Sequence, residues 1–253
     1  MNYDIQRASM LKRIPAWMLD IILLITLATG LIAGLARVLD MDTHMNALDA
    51  IYVRYEEEFN VDFAKTEGDF AVMPEEELAR YEAAAEALSK DTEAQKAYEI
   101  VLNLTLIMLS GGILGAFVIL EFLIPLWLKN GQTLGKKIFG VALMRKDGVK
   151  VTPFMMFART ILGKYTVETM IPLLLLVALI FGIMGLEGLL GFALILIAQV
   201  AVILATRDKA GIHDLLACTV AVDLSSQMIF DSPEEQLEYH KQLHEENVAQ
   251  ADY

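Results

Sequence analysis

The chain has 253 residues, 56% of them hydrophobic, with a mean hydropathy of +0.48 and a formal net charge of -13. The apolar residues stand in long uninterrupted runs, which points to a polytopic membrane protein. So acidic a balance argues against a nucleic-acid partner, and a single cysteine, Cys218, excludes an intrachain disulfide and a CxxC site.

Arg7, Lys12 and Arg13 precede the first apolar run, residues 14–36, which only Asp20 interrupts. As a helix its 23 residues extend about 34 Å, enough to cross a hydrocarbon core of about 30 Å. The run is too long for a signal peptide, and no small-residue cleavage site follows it. Gly30 and Gly34 form a GxxxG pair, a device for close helix packing within the monomer or between copies.

Residues 38–100 carry 17 acidic and 5 basic side chains, so nearly the whole net charge sits in this one segment. Asp40 to Phe70 is mixed in pattern. Pro74 opens a helical stretch, Glu75 to Glu99, with acidic residues first and an alanine-rich centre. No EF-hand spacing is present, so a solvated acidic face is the expectation rather than a metal site. The second span, about 101–126, contains Glu121 and ends near Pro125 and Trp127.

Residues 129–168 form a basic, amphipathic segment. Asn130-Gly131 is a turn signal, Thr133 to Met144 is amphipathic, and Asp147-Gly148 marks a tight turn between Val141–Met144 and Val149–Thr152. Pro153 to Tyr165 reads as a short interfacial helix bearing Arg159 and Lys164, suited to anionic headgroups. The next apolar run, residues 169–206, is 38 residues long with one charge, Glu187. One helix of that length would reach about 57 Å. A hairpin turning around Glu187 is expected, with spans at about 169–186 and 188–206; a long kinked helix, giving three spans, is the alternative. Arg207-Asp208, Lys209 and His213-Asp214 follow, and Gly211 lets the chain turn so that Leu215 to Val222 lies against the bundle. Residues 224–253 form a charged tail expected to be a loose helix.

The basic residues choose between these topologies. The clusters before the first span, between the second and third, and after the last share one side only when the number of spans is even. The positive-inside rule then places both termini in the cytoplasm, at the plasma membrane, with residues 38–100 outside. The fold class expected is an all-α membrane protein of four transmembrane helices, with a cytoplasmic amphipathic segment and an acidic, partly helical extracytoplasmic loop.

Asp20 inside a span is costly when unpaired, at least about 2.5 kcal/mol near a helix centre. Arg13 lies two turns away on roughly the same face; Arg159 and Asp214 are further candidate partners. Arg13, Asp20, Arg159, Asp214 and His213 form either an inner-facing polar pocket for an ion or small solute, or a static ion-pair network. Glu121 could join either, and Glu187 sits at the wet outer turn.

These residues carry a resemblance. Arg13, Ala16 and Asp20 entering the first span fit R-x-x-A-x-x-x-D. Gly131-Gln132-Thr133-Leu134-Gly135-Lys136-Lys137 with Gly140 fits GQTLGK-K/R-x-x-G. Gly211, His213-Asp214-Leu215-Leu216-Ala217 and Thr219 fit G-x-H-D-L-L-A-x-T. Together they resemble the RDD family of small polytopic membrane proteins over residues 7–223. The resemblance implies that the naming arginine falls on Arg13 and the aspartates on Asp20 and Asp214, with Arg159 as a recurring inner arginine. The long acidic loop departs from the compact family pattern, and Cys218 stands where a small residue is usual.

The expected function is transport of a small solute, or of cations against protons, through the Asp/Arg cluster. Membrane lipids surround such a chain, and more than one copy would line the pathway. A membrane scaffold docking partners through the acidic loop and the tail is the alternative. An enzyme is not expected: GQTLGKK lacks the P-loop spacing GxxxxGK[ST], and no HExxH, metal cluster or nucleophile elbow is present. No cofactor is expected.

Overall fold

A computed structural model describes residues 5–65, 73–128, 130–180, 182–206 and 209–251. The expectations for Lys129, Arg207 and Asp208 lie outside them. The chain divides into two compact units, residues 1–28 with 113–253, and residues 29–112; the boundaries fall inside two long helices.

Among the described residues, four helices are long and apolar enough to cross a membrane: α1 (Met10–Val38), α4 (Thr92–Trp127), α6 (Pro153–Ile180) and α7 (Leu186–Ala205). Their side chains are mostly unburied by protein, as expected where lipid is the solvent; Ile22, Ile25, Leu194 and Ile197 are examples. Between α1 and α4 lie α2 (Met41–Phe59) and α3 (Glu75–Lys90). The helical stretch expected from Glu75 to Glu99 is broken at Asp91, whose backbone is extended and whose carboxylate accepts from the Glu93 amide at 2.7 Å. Asx capping of this kind starts a new helix.

The third long apolar helix begins at Pro153, ahead of the position near 169 expected for the third span. Arg159 and Lys164 therefore lie within one long helix, not on a separate interfacial one. Acidic partners described below permit this. The turn that follows uses Gly182 to Gly185. Glu187 sits in the first turn of α7 rather than at the turn itself, where the helix dipole favours a carboxylate.

The fold is mostly helical rather than all-α. Strand β1 (Val141–Arg145) pairs antiparallel with β2 (Thr219–Asp223), register Val141↔Asp223 to Arg145↔Thr219. The Asp147-Gly148 turn is present, closed by Arg145 N–H donating to the Val149 carbonyl at 2.9 Å, but the partner expected for β1 is only a single bridge, Met144↔Lys150. The N-terminal segment flanks the other edge: Ala8 N–H donates to Ala221 O at 3.2 Å and Asp223 N–H to Gln6 O at 3.0 Å.

Alternation along β1 buries both faces. Val141 and Leu143 pack with Ala8, Met156 and Ala221, while Ala142 and Met144 pack with Val220 and Val222. Two short helices adjoin the sheet, α5 (Leu134–Ile138) before β1 and α8 (Ile212–Leu216) before β2. The tail folds as α9 (Pro233–Ala251). It is held by Tyr239 against Phe230, 5.4 Å between centroids, and by Gln236 Nε2 donating to Asp147 O at 2.7 Å.

Close approach of α8 to α6 depends on Gly163, where a Cβ would lie 2.6 Å from the Cα and Cβ of His213. Gly163→Ala is expected to destabilise the protein by about 1–3 kcal/mol, read as a lower unfolding temperature in detergent. Gly191→Ala, whose Cβ meets nothing within 4 Å, leaves that temperature unchanged.

Candidate functional site

Three polar junctions lie in the unit built from residues 1–28 and 113–253. The first holds Asp20. This residue sits on α1, 9% exposed, and both its carboxylate oxygens are engaged. Thr133 donates its hydroxyl to Oδ2 at 2.5 Å, and the Gly135 amide donates to Oδ1 at 2.8 Å. The sequence makes this contact through small residues. Ala16 is buried on α1, and a Cβ on Gly135 would come within 2.2 Å of the Ala16 carbonyl oxygen and 2.8 Å of Asp20 Oδ1. Thr133 also caps α5, accepting from the Lys136 amide at 3.3 Å. One hydroxyl thus starts α5 and holds Asp20.

The second junction joins α4 to α6. Lys164 Nζ donates to Glu121 Oε2 at 2.6 Å, and the Thr160 hydroxyl donates to the Glu121 carbonyl at 2.9 Å. Glu121 also borders a tight gap with Asp20, Leu23, Leu120 and Leu134.

The third joins α6 to α8 and β2. Arg159 and Asp214 form an ion pair with both side chains 4% exposed. Arg159 Nη1 also donates to Thr219 Oγ1 at 2.6 Å, and Asp214 Oδ2 accepts the Gly211 amide at 3.3 Å. His213 continues the chain of contacts. Its Nδ1 lies 2.7 and 2.8 Å from the two carboxylate oxygens of Glu168, and its Nε2 lies 3.3 Å from Asp214 Oδ2. An imidazole facing carboxylates on both sides donates to both when it carries two protons.

Both long helices are locally π-helical where they carry these charges. The stretch Val118–Leu123 holds Glu121, and Ala158–Met170 holds Arg159, Lys164 and Glu168. Widened turns of this kind concentrate at functional sites, because they re-aim side chains within an otherwise regular helix.

The five residues singled out from sequence do not form one cluster. Arg159, His213 and Asp214 come together. Asp20 joins Thr133 and Gly135 instead of Arg13, and Arg13 donates from Nη2 to the Lys209 carbonyl at 3.0 Å. Glu168, Lys164, Thr133 and Thr219 were not among the expected site residues. Thr133 and Thr219 stand in the recognisable motifs; for Glu168 the only signal is its position in the helix that also carries Arg159 and Lys164.

Electrostatics separates these groups. Burial by itself would raise the Asp214 carboxyl, but Arg159 and then His213 outweigh it and hold it well below the usual carboxylate range. Withdrawal from water and the nearby Lys164 charge push the Lys136 ammonium down to about 8, against the opposing pull of Glu121 and Asp20. On the sheet, a hydrogen bond from Lys12, 2.6 Å away, and others from Ser225 hold Asp223 down at about 2.

A carboxyl lowered by folding contributes stability above its unfolded value, near 4, and loses it as the pH falls further. Asp214→Asn is therefore expected to lower stability at neutral pH by about 3–5 kcal/mol, leaving Arg159 buried without its counter-charge. It should also flatten the loss of stability below about pH 4. Thermal unfolding in detergent from neutral to acid pH measures both. An unfolding profile like the unsubstituted protein's would contradict the role given to this pair.

The comparisons with known proteins agree with these motifs. No curated protein and no solved structure matches the chain. The family model for the RDD family matches residues 7–218, a stretch that takes in Arg13, Asp20, Thr133, Gly135, Arg159 and Asp214. With most of its length matched and the residues of all three junctions falling almost wholly inside the match, the chain belongs to the RDD family.

Proposed function

We propose that this protein is a membrane transporter that exchanges cations for protons, or carries a small cationic solute, with Asp20 as the binding carboxylate. The observation that carries the reading is the difference between Asp20 and Asp214. Asp214 is locked to a guanidinium. Among the described residues, Asp20 has no cation within salt-bridge distance, and its two hydrogen bonds come from neutral donors, a hydroxyl and an amide. A carboxylate on a span that forms no ion pair is a group that a proton or a metal cation can occupy. Those two ligands compete for the same oxygens, which is the requirement for exchange.

Lys136 tunes that competition. It stands within electrostatic reach of Asp20, Glu121 and Lys164. When it loses its proton, the charge around Asp20 becomes more negative by one unit, and an external cation binds more tightly. The Glu168–His213–Asp214–Arg159 chain then supplies a rigid wall and a path of hydrogen-bonding groups. In this reading the basic clusters face the cytoplasm with both termini, in the plasma membrane, and residues 38–100 lie outside. Four spans make a thin wall, so two or more copies complete the pathway.

A scaffold is the second reading. It is favoured by α9, a charged helix that leaves Leu237, Leu243 and Val248 exposed. No catalytic role is proposed: the His213–Asp214 pair is engaged by Glu168 and Arg159.

Flux measurement tests the proposal. Purified protein in liposomes with an internal pH dye is expected to move protons when Na⁺, K⁺ or Li⁺ gradients are applied, and Asp20→Asn abolishes that movement while unfolding at a comparable temperature. Movement that survives Asp20→Asn would sink the mechanism. The apparent cation affinity of the unsubstituted protein is expected to rise between about pH 7 and 9, through the titration of Lys136. Lys136→Met should already show the higher affinity at neutral pH, with a flatter profile; an unaltered profile would remove Lys136 from the mechanism.

A further inference from the structure

The acidic unit, residues 29–112, contains an open cleft of about 630 Å³ whose described lining is Asp49, Tyr52, Val53, Glu56, Phe63 and Tyr81. Its volume falls within the range of small-molecule sites, about 300–1,000 Å³. The lining follows from helix geometry. Asp49, Tyr52, Val53 and Glu56 stand at i, i+3, i+4 and i+7 on α2, one face of the helix. Phe63 arrives from the segment after α2, held by its amide donating to Glu56 Oε1 at 2.8 Å, and Tyr81 comes from α3. The three rings meet edge to face: Tyr52 and Phe63 are 6.0 Å apart at 66°, and Phe63 and Tyr81 are 5.5 Å apart at 70°.

The charges around this cleft are unbalanced. Three cations of the same unit pair with other carboxylates. Arg54 pairs with Asp91 and Glu93 at 3.1 and 3.3 Å, Lys65 pairs with Glu77, and Lys90 pairs with Glu86 at 2.5 Å. Among the described residues, no lysine or arginine forms an ion pair with Asp49 or Glu56. Carboxylates attract a cation, and the electron-rich faces of phenol and phenyl rings attract one that is weakly hydrated and wrapped in methyl or methylene groups. Carboxylates alone would select a small, hard metal ion. Aromatic rings and carboxylates together favour an organic ammonium.

We propose that this cleft is a binding site for a small organic ammonium ion, with the ammonium held between the aromatic rings and the Asp49 and Glu56 carboxylates. The site is separate from Asp20 and does not depend on the transport reading.

Calorimetric titration of the full chain in nanodiscs of zwitterionic lipid tests it, with choline as the probe. Its neutral isostere 3,3-dimethyl-1-butanol and Na⁺ serve as controls. Choline is expected to bind with a dissociation constant of about 1 mM or tighter. The neutral alcohol and Na⁺ should each bind at least about tenfold more weakly, in keeping with a cation–π gain of one to two kcal/mol. Tyr52→Leu and Asp49→Asn should each weaken choline by about tenfold. Tyr52→Phe keeps the ring and should retain most of the affinity, which separates loss of the site from loss of fold. Asp20→Asn should leave choline binding unchanged, so failure of the transport reading is read separately. Absence of choline binding up to about 10 mM, equal binding of the neutral alcohol, or binding untouched by Tyr52→Leu and Asp49→Asn would each overturn the proposal.

Discussion

An arginine and an aspartate withdrawn from water each carry a desolvation cost of several kcal/mol, offset only when they meet in good geometry with their remaining donors and acceptors filled. Arg159 and Asp214 satisfy that condition, with Thr219 and the Gly211 amide completing the set. The order of the chain around them depends on it. Arg159 stands on α6, Asp214 on α8, and Thr219 opens β2. Strand β2 pairs with β1, and β1 leads through the Asp147-Gly148 turn to Thr152, which caps α6. The ion pair therefore closes a circuit that begins and ends on the same helix. Gly163 is required for the same reason, since α8 must come almost into backbone contact with α6 for the two charges to meet.

Other charges of the described residues are fixed by ion pairs, and Asp20 is not. Lys164 fixes Glu121, Lys12 fixes Asp223, and His213 bridges Glu168 and Asp214. Asp20 is held in position by hydrogen bonds from a hydroxyl and an amide, and among the described residues it forms no ion pair. Position without an ion pair suits a group that takes up and releases a ligand, because a permanently paired carboxylate would have to break its pair first. The Gly135 amide and the Thr133 hydroxyl preorganise the carboxylate, while Lys136, one residue further along α5, sets the local potential.

Much of the fold was legible in the sequence because hydropathy and length decide it. Runs of apolar residues have one low-energy home, and a 38-residue run is too long for one span, which favoured a turn near Glu187 over a long kinked helix. The polar residues were legible as well: Asp20 stood out by its cost, and Arg159 and Asp214 as its candidate partners. Their pairing was not. Arg13 shares a helix face with Asp20, yet Thr133 and Gly135, far along the chain, reach it first. That contact depends on Ala16 and Gly135 being small enough for α5 to seat on α1, which periodicity does not report. The sheet was half legible for a related reason. Val141 to Met144 and Thr219 to Val222 are buried on both faces, so neither alternates in polarity, and the nearest turn suggested the wrong partner. Lys164 was counted as a surface charge because its partner, Glu121, lies on a different span.

Proton release on cation binding tests the central claim, that Asp20 holds either a proton or a cation, most directly. In weakly buffered detergent solution with a pH indicator, addition of Na⁺, K⁺ or Li⁺ should release protons from the unsubstituted protein, and none from Asp20→Asn. Cation binding without proton release, or equal release from Asp20→Asn, would contradict it and leave the three junctions as a structural network.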